Sequence, residues 1–238
     1  MRERIFRFKQ FSVAHSRSAM KVGVDGVLIG AWATPAEGHI LDVGTGCGMI
    51  ALMMAQRSPQ AMITGIDIHA DSVEEARENV ESNGMQGRID IQLQSFDDIP
   101  DEDSGYDLIV SNPPFFDSGV KNPATPREQA RHTATLTPES LLINGVRLLN
   151  PMGRISLIAT SDAEERLLSV GREVGLAACR ITHVRDHADA KVKRVMMEFA
   201  REGDKAIDCE RGELVMFGED GEPTYEYRQL CKDFYLKF

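Results

Sequence analysis

The feature that most constrains this chain is a glycine-spaced turn at the end of a short apolar run. Ile40, Leu41, Asp42 and Val43 lead into Gly44-Thr45-Gly46-Cys47-Gly48, and a stretch of helical period follows to Arg57. Glycine at 44, 46 and 48 lets the backbone turn tightly from strand to helix and approach a ligand closely. The spacing alone is a weak signal, because any strand-to-helix turn can use glycine. Asp67 strengthens it. That residue closes the next apolar run, about twenty residues beyond the loop. There, open α/β folds place an acid that accepts hydrogen bonds from ribose hydroxyls. Neither Gly-Lys-Ser nor Gly-Lys-Thr follows the loop, which argues against a nucleoside triphosphatase.

Along the chain, apolar runs bounded by turn residues alternate with helical stretches, the sign of a parallel sheet with crossover helices. Strands are predicted at 40–43, 62–68, 89–93, 106–111 and 154–159. Helices are predicted at 47–57, 71–83, 138–149 and 162–174, with Asp71 as an N-cap and Gly84 as a stop. Asn150-Pro151-Met152-Gly153 reads as a break, and 178–184 with 194–200 as an antiparallel end to the sheet. Residues 20–32 read as a lead-in helix covering the sheet, and 225–238 as a packing helix. With no repeat and no clear linker, one domain is expected over 1–238. It divides into a lead-in (1–37), a catalytic core (38–203) and a C-terminal extension (204–238).

The net charge of −10 at first disfavours a polyanionic partner, but its distribution does not. Residues 67–107 hold thirteen Asp or Glu against only Arg77 and Arg88, and 202–222 form a second acidic run. The remainder is basic. Its cations gather at Arg2, Arg4, Arg7, Lys9, Arg17 and Lys21; at Lys121, Arg127 and Arg131; and at Arg185, Lys191, Lys193 and Arg194. Such clusters are either solvated faces or an RNA-binding surface opposite an acidic back. The apolar runs are too short to span a bilayer and the N-terminus lacks an apolar signal core, so a soluble cytoplasmic protein is expected. Cys47, Cys179, Cys209 and Cys231 form no CxxC pair, so neither a disulfide framework nor a metal site is expected. His183 and His187 have a ligand-like spacing but fall in strand and loop, and are read as structural.

A second motif says what the glycine loop could serve. Asn112-Pro113-Pro114-Phe115 closes the apolar run Leu108-Ile109-Val110. A planar NH2 conjugated with a ring or carbonyl is a poor nucleophile, and acceptors aimed at its N–H bonds help it to attack. The Asn112 side-chain oxygen and the Pro113 carbonyl supply two such acceptors, and two prolines pre-set the backbone that carries them. Phe115 offers a flat face for stacking, worth roughly 1–3 kcal/mol per base. Loop and turn together point to methyl transfer from S-adenosylmethionine to an amino group. In that reading Gly44, Thr45, Gly46 and Gly48 cradle the cofactor beside Asp42, Asp67 meets its ribose, and Ile68 is a further cofactor contact. Asp97 accepts from the adenine amine, Phe96 forms an apolar wall, and Asn112 borders the donor. A plain hydrophilic loop remains a competing reading of Asp97.

With these residues in place, the chain resembles the bacterial tRNA (adenine-N6)-methyltransferases that modify adenine 37, next to the anticodon of a valine tRNA. The resemblance runs over essentially the full length. It also rests on 8–15 continuing to 20–32, on Ala130-Arg131-His132, and on 225–238. It implies a Rossmann-like class I methyltransferase with a mostly parallel seven-stranded sheet and helices on both faces. It implies further that Lys21, Gly23 and Asp25 lie near the cofactor's methionine end. The substrate would be the tRNA anticodon stem-loop, and the enzyme a monomer.

Three alternatives stand beside this reading. A glutamine-N5 protein methyltransferase faces the same weak NH2, but such enzymes usually carry Tyr at position 115 and a helical N-terminal domain. A guanine-N2 rRNA methyltransferase shares the Asn-Pro-Pro-Phe turn, commonly in a longer, duplicated chain. A noncatalytic cofactor- or RNA-binding module would have no use for an intact turn.

Overall fold

The computed structural model describes residues 4–18, 21–114, 136–203 and 208–238. Among the described residues, eight strands form one sheet. They are β3 (His39–Val43), β4 (Met62–Asp67), β5 (Ile89–Leu93), β6 (Tyr106–Ser111), β7 (Leu149–Thr160), β8 (Leu176–Arg185), β9 (Arg194–Arg201) and β10 (Glu210–Val215). Their spatial order is β10-β8-β9-β7-β6-β3-β4-β5. Pairing is parallel except at β9, which runs antiparallel to both β7 and β8. A separate hairpin, β1 (Ile5–Arg7) and β2 (Ser12–Ala14), precedes the sheet.

Side chains alternate across each strand and divide the core in two. Ile40, Leu108 and Val110 face α1 (Val24–Trp32), α2 (Met49–Arg57) and α3 (Ala70–Ser82). Leu41, Ile109 and Leu157 face α4 (Pro138–Leu148) and α5 (Glu164–Glu173). A short α6 (Tyr225–Cys231) joins the first layer. There the N- and C-terminal segments meet through aromatics: Phe8 stacks on Phe11 at 4.6 Å between centroids and on Tyr235 at 6.3 Å. The lead-in helix is nearly wholly buried, and glycine makes that possible. A Cβ on Gly26 would lie 2.5 Å from Met49 Cε, and one on Gly30 2.6 Å from Met53 Sδ.

Three expectations need correction. Among the described residues the sheet has eight strands, not seven. The added β10 pairs parallel with β8, and of its residues only Leu214 is buried. It carries no alternating apolar pattern because its partners are charged: Arg185 meets Glu213 at 2.6 Å and Arg211 meets Glu164 at 2.9 Å. Asp71 is not the N-cap of α3. That position is His69, and Asp71 lies in the first turn, where a carboxylate suits the positive end of the helix. The helix expected over 138–149 does stop before 150–153, but the strand expected to begin at 154 already begins at Leu149. β7 runs through that stretch with a register shift opposite Tyr106 and Leu108. The start of α4 follows its sequence: Thr137 caps it, exchanging hydrogen bonds with Ser140, and Pro138 occupies the first turn.

Candidate active site

Strand order reverses at β3, with β4 on one side and β6 on the other. Ligands of open α/β sheets bind outside the carboxyl ends of the strands at such a reversal. The two sequence motifs leave the sheet at this point. Val43 and Ser111 are register partners, so the glycine loop and Asn112 start from neighbouring positions.

The loop is held from several sides. Gly44, Gly46 and Gly48 have φ of +70°, +56° and +79°, a region that costs other residues about 1–2 kcal/mol each. Thr45 donates its amide to the Ile66 carbonyl at 2.9 Å and its hydroxyl to Asp42 Oδ2 at 2.6 Å. Asp42 Oδ2 also accepts from the Ala51 amide at 3.0 Å. Asp42 has no exposed surface, so it fastens the loop from beneath and does not itself reach a ligand. Burial pushes its carboxyl up to about 7, against the donors at Thr45 and Ala51.

Asp67 accepts the Gly46 amide on Oδ2 at 3.0 Å and the His69 amide on Oδ1 at 2.9 Å. Two backbone donors thus orient the carboxylate, and each oxygen keeps a further lone pair for a hydroxyl. Ile68, next in sequence, leaves about half of its surface exposed. Phe96 is buried with Ile66 and Ile99. Asp97 is exposed, and its Oδ1 accepts from Asn144 Nδ2 of α4 at 2.7 Å.

On the other side of the reversal, Asn112 Oδ1 is buried and has no hydrogen-bond partner among the described residues. An unpaired buried acceptor costs about 1–3 kcal/mol and is expected where a ligand supplies the donor. Pro113 is buried and Pro114 half-buried behind it. Phe115 lies outside the described residues, as do Arg2, Lys121, Arg127 and Arg131.

The lead-in contributes through its ends. Gly23 is the N-cap of α1. Lys21 Nζ donates to the carbonyls of Ser16 at 2.9 Å and Ser18 at 3.1 Å. Asp25 pairs with Arg194 at the start of β9. Burial raises the Asp25 carboxyl and the Arg194 charge opposes that rise. Several expected RNA contacts are therefore engaged within the chain. Arg194 also meets Asp186 at 3.2 Å, and Lys193 meets Asp186 at 2.6 Å. Arg17 is bound by Glu74, Glu75 and Glu78, and Lys9 donates to the Phe238 carbonyl at 2.8 Å. Arg4, Arg7 and Lys191 are exposed. Among the described residues no cluster of His, Cys, Asp and Glu could hold a metal ion, and no helix is long and apolar enough to cross a membrane.

Sequence reasoning passed over Asn144, which orients Asp97, and the inward polar side of α3, formed by buried Glu75 and Asn79 and part-buried Asn83. Their spacing of four was the available signal. It was hidden inside the acidic run.

A glycine cradle, an oriented acid at the next strand end and an unpaired amide oxygen at the reversal suit an adenosine-bearing sulfonium cofactor. They define a class I methyltransferase that uses S-adenosylmethionine. Comparison with known proteins agrees: residues 8–170 match the methyltransferase small domain family. A protein of Parabacteroides distasonis named tRNA1(Val) (adenine(37)-N6)-methyltransferase is 42% identical, with 98% of each chain covered. One of the same name from Aeromonas salmonicida is 40% identical over 98% of this chain and 97% of its own. The chain belongs to the tRNA1(Val) (adenine(37)-N6)-methyltransferase family. A predicted O-methyltransferase from Agrobacterium tumefaciens shares the fold, with a TM-score of 0.68 at 17% identity over 88% of this chain and 96% of that one.

Proposed function

We propose that this protein transfers a methyl group from S-adenosylmethionine to N6 of adenine 37 in a valine tRNA. The observation that carries the reading is the unpaired, buried Asn112 Oδ1 beside the glycine loop. When bound, the cofactor supplies an activated methyl group on a positively charged sulfur. The protein's part is positioning and electrostatics. Asp67 and the loop of Gly44, Gly46 and Gly48 hold the nucleoside end, with Asp97 and Ile68 beside the base. Asn112 accepts from the target amine, the Pro113 carbonyl is its second acceptor, and Phe115 is the stacking face. Lys21, Gly23 and Asp25 border the amino-acid end.

The target base must leave the anticodon loop to reach this crevice. Arg4, Arg7 and Lys191, with Arg2, Lys121, Arg127 and Arg131, are proposed to contact the RNA backbone. Lys9, Arg17, Lys193 and Arg194 would do so only by sharing their present partners. The test is incubation with labelled cofactor and total tRNA from a strain lacking the protein, followed by nucleoside mass spectrometry. Label in N6-methyladenosine at position 37 of valine tRNA is the expected product. Label in another nucleoside, or only in protein, overturns the reading.

A further inference from the structure

Helix α3 turns a polar stripe toward the N-terminal segment. Glu75 and Asn79 lie on it, and Asn83 ends it as the C-cap, each four residues from the last and so stacked on one side. Asn83 accepts from the Ser12 amide at 3.0 Å and donates to the Ser12 carbonyl at 2.8 Å. Asn79 treats Ala14 alike, with both bonds at 2.8 Å. Glu75 takes the amides of Ser16 at 2.6 Å, Arg17 at 2.9 Å and Ser18 at 2.8 Å. The stripe thus meets β2 and the residues after it much as a neighbouring strand would.

Asn79 does one thing more. Its second N–H donates to the Cys47 carbonyl, inside the glycine loop, at 2.8 Å. Asn79 is 3% exposed, and its bond to the Cys47 carbonyl is buried. Helix and loop also touch directly, since a Cβ on Gly48 would lie 3.3 Å from the Ala76 Cβ. Within the loop, Thr45 is fixed by Ile66, Gly46 by Asp67 and Cys47 by Asn79.

We propose that Asn79 is a positioning residue for the cofactor, fixing the Cys47 peptide and the segment leading to Lys21, Gly23 and Asp25 as one unit. This rests on the loop's being the S-adenosylmethionine site. Asn83 supplies the control, because it makes the same kind of bonds to the segment without contacting the loop.

The experiment compares wild type with Asn79→Ser, Asn79→Asp and Asn83→Ala, measuring melting temperature, S-adenosylhomocysteine affinity, and KM and kcat. Both Asn79 variants are expected to weaken ligand affinity and raise the cofactor KM about tenfold, with kcat at saturation nearly unchanged. Asn83→Ala is expected to lower the melting temperature while holding affinity within about twofold. Hydrogen exchange on wild type gives a readout that needs no variant: S-adenosylhomocysteine should slow exchange across 12–18. Unchanged affinity in the Asn79 variants, an equal loss in Asn83→Ala, or unaltered exchange across 12–18 each overturns the proposal. Wild type failing to bind S-adenosylhomocysteine overturns the reading of the loop itself.

Discussion

The Ser111 hydroxyl donates to the Val43 carbonyl at 2.8 Å, locking the last residues of two neighbouring parallel strands together. One residue later the chains diverge, one into the glycine loop and the other into Asn112. Two motifs far apart in sequence therefore share a fixed origin. In the proposed reading, a base held at Asn112 is presented to a donor held by the glycine loop without any large movement of the sheet.

Asn112→Ala removes the buried, unpaired amide oxygen proposed to accept from the target amine. By analogy with the loss of one preorganised donor or acceptor elsewhere, methyl transfer should fall by about 10²-fold or more. S-adenosylhomocysteine affinity, measured by calorimetry, should hold. An equal loss of binding and turnover would instead make Asn112 a structural residue.

Asp42 ties stability to pH. Its folded value, about 7, lies above the ordinary 3.8, so the folded state binds the proton more tightly than the unfolded state. Its contribution is fully present below the ordinary value and is lost as pH rises toward the folded one. Within that window, stability falls by about 1.4 kcal/mol for each step of one in pH. Chemical denaturation of the ligand-free protein at pH 5 and pH 8 should show this decline. Asp42→Asn should flatten it, although the variant is less stable throughout because its amide finds no acceptor.

On β9, two strands from β6, Glu198 is fully buried. It accepts from the Thr34 amide at 3.0 Å and the Ser156 hydroxyl at 2.7 Å, and it meets Arg154 at 2.8 Å and Arg180 at 3.6 Å. Arg180 in turn lies 3.7 Å from the Trp32 ring centroid. Glu198→Gln leaves two guanidinium groups without their counter-charge. The cost should be about 3 kcal/mol, at the low end for a broken buried pair because Arg154 is partly exposed. Burial opposes the charged form, but the donors around Glu198 prevail and hold it below the ordinary range. Its stabilisation is thus present above pH 4.5 and is lost in acid. Denaturant titrations at pH 4 and pH 7 should place the larger effect of the substitution at pH 7.

Arg4→Ala with Arg7→Ala should weaken tRNA binding and flatten its dependence on salt, the log–log slope falling by about one for each phosphate contact removed. Filter binding across a salt series measures this. An unchanged slope would remove the N-terminal hairpin from the RNA surface.

The sequence revealed what depended on local pattern. Ile40 to Val43, Ile89 to Leu93 and Tyr106 to Ser111 alternate or run apolar between turn residues, and they fold as strands at those positions. The glycines at 44, 46 and 48 needed positive φ and have it. What escaped depended on partners distant in the chain. Strand β10 is polar because its stabilisation comes from ladder bonds and ion pairs with β8 and α5, which no local period reports. Asp42 and Asp67 look alike as acids at strand ends, yet one is enclosed beneath the loop and the other is oriented at its rim. The joining of Asp25 to Arg194, and of Asn79 to Cys47, is likewise a property of the folded chain alone.

A crystal structure with S-adenosylhomocysteine would test most directly whether loop and turn form one site. The ribose hydroxyls should lie on Asp67, and the sulfur should face an open pocket bounded by Asn112. A ligand bound elsewhere, or an Asn112 pocket filled by the protein's own side chains, would contradict the account.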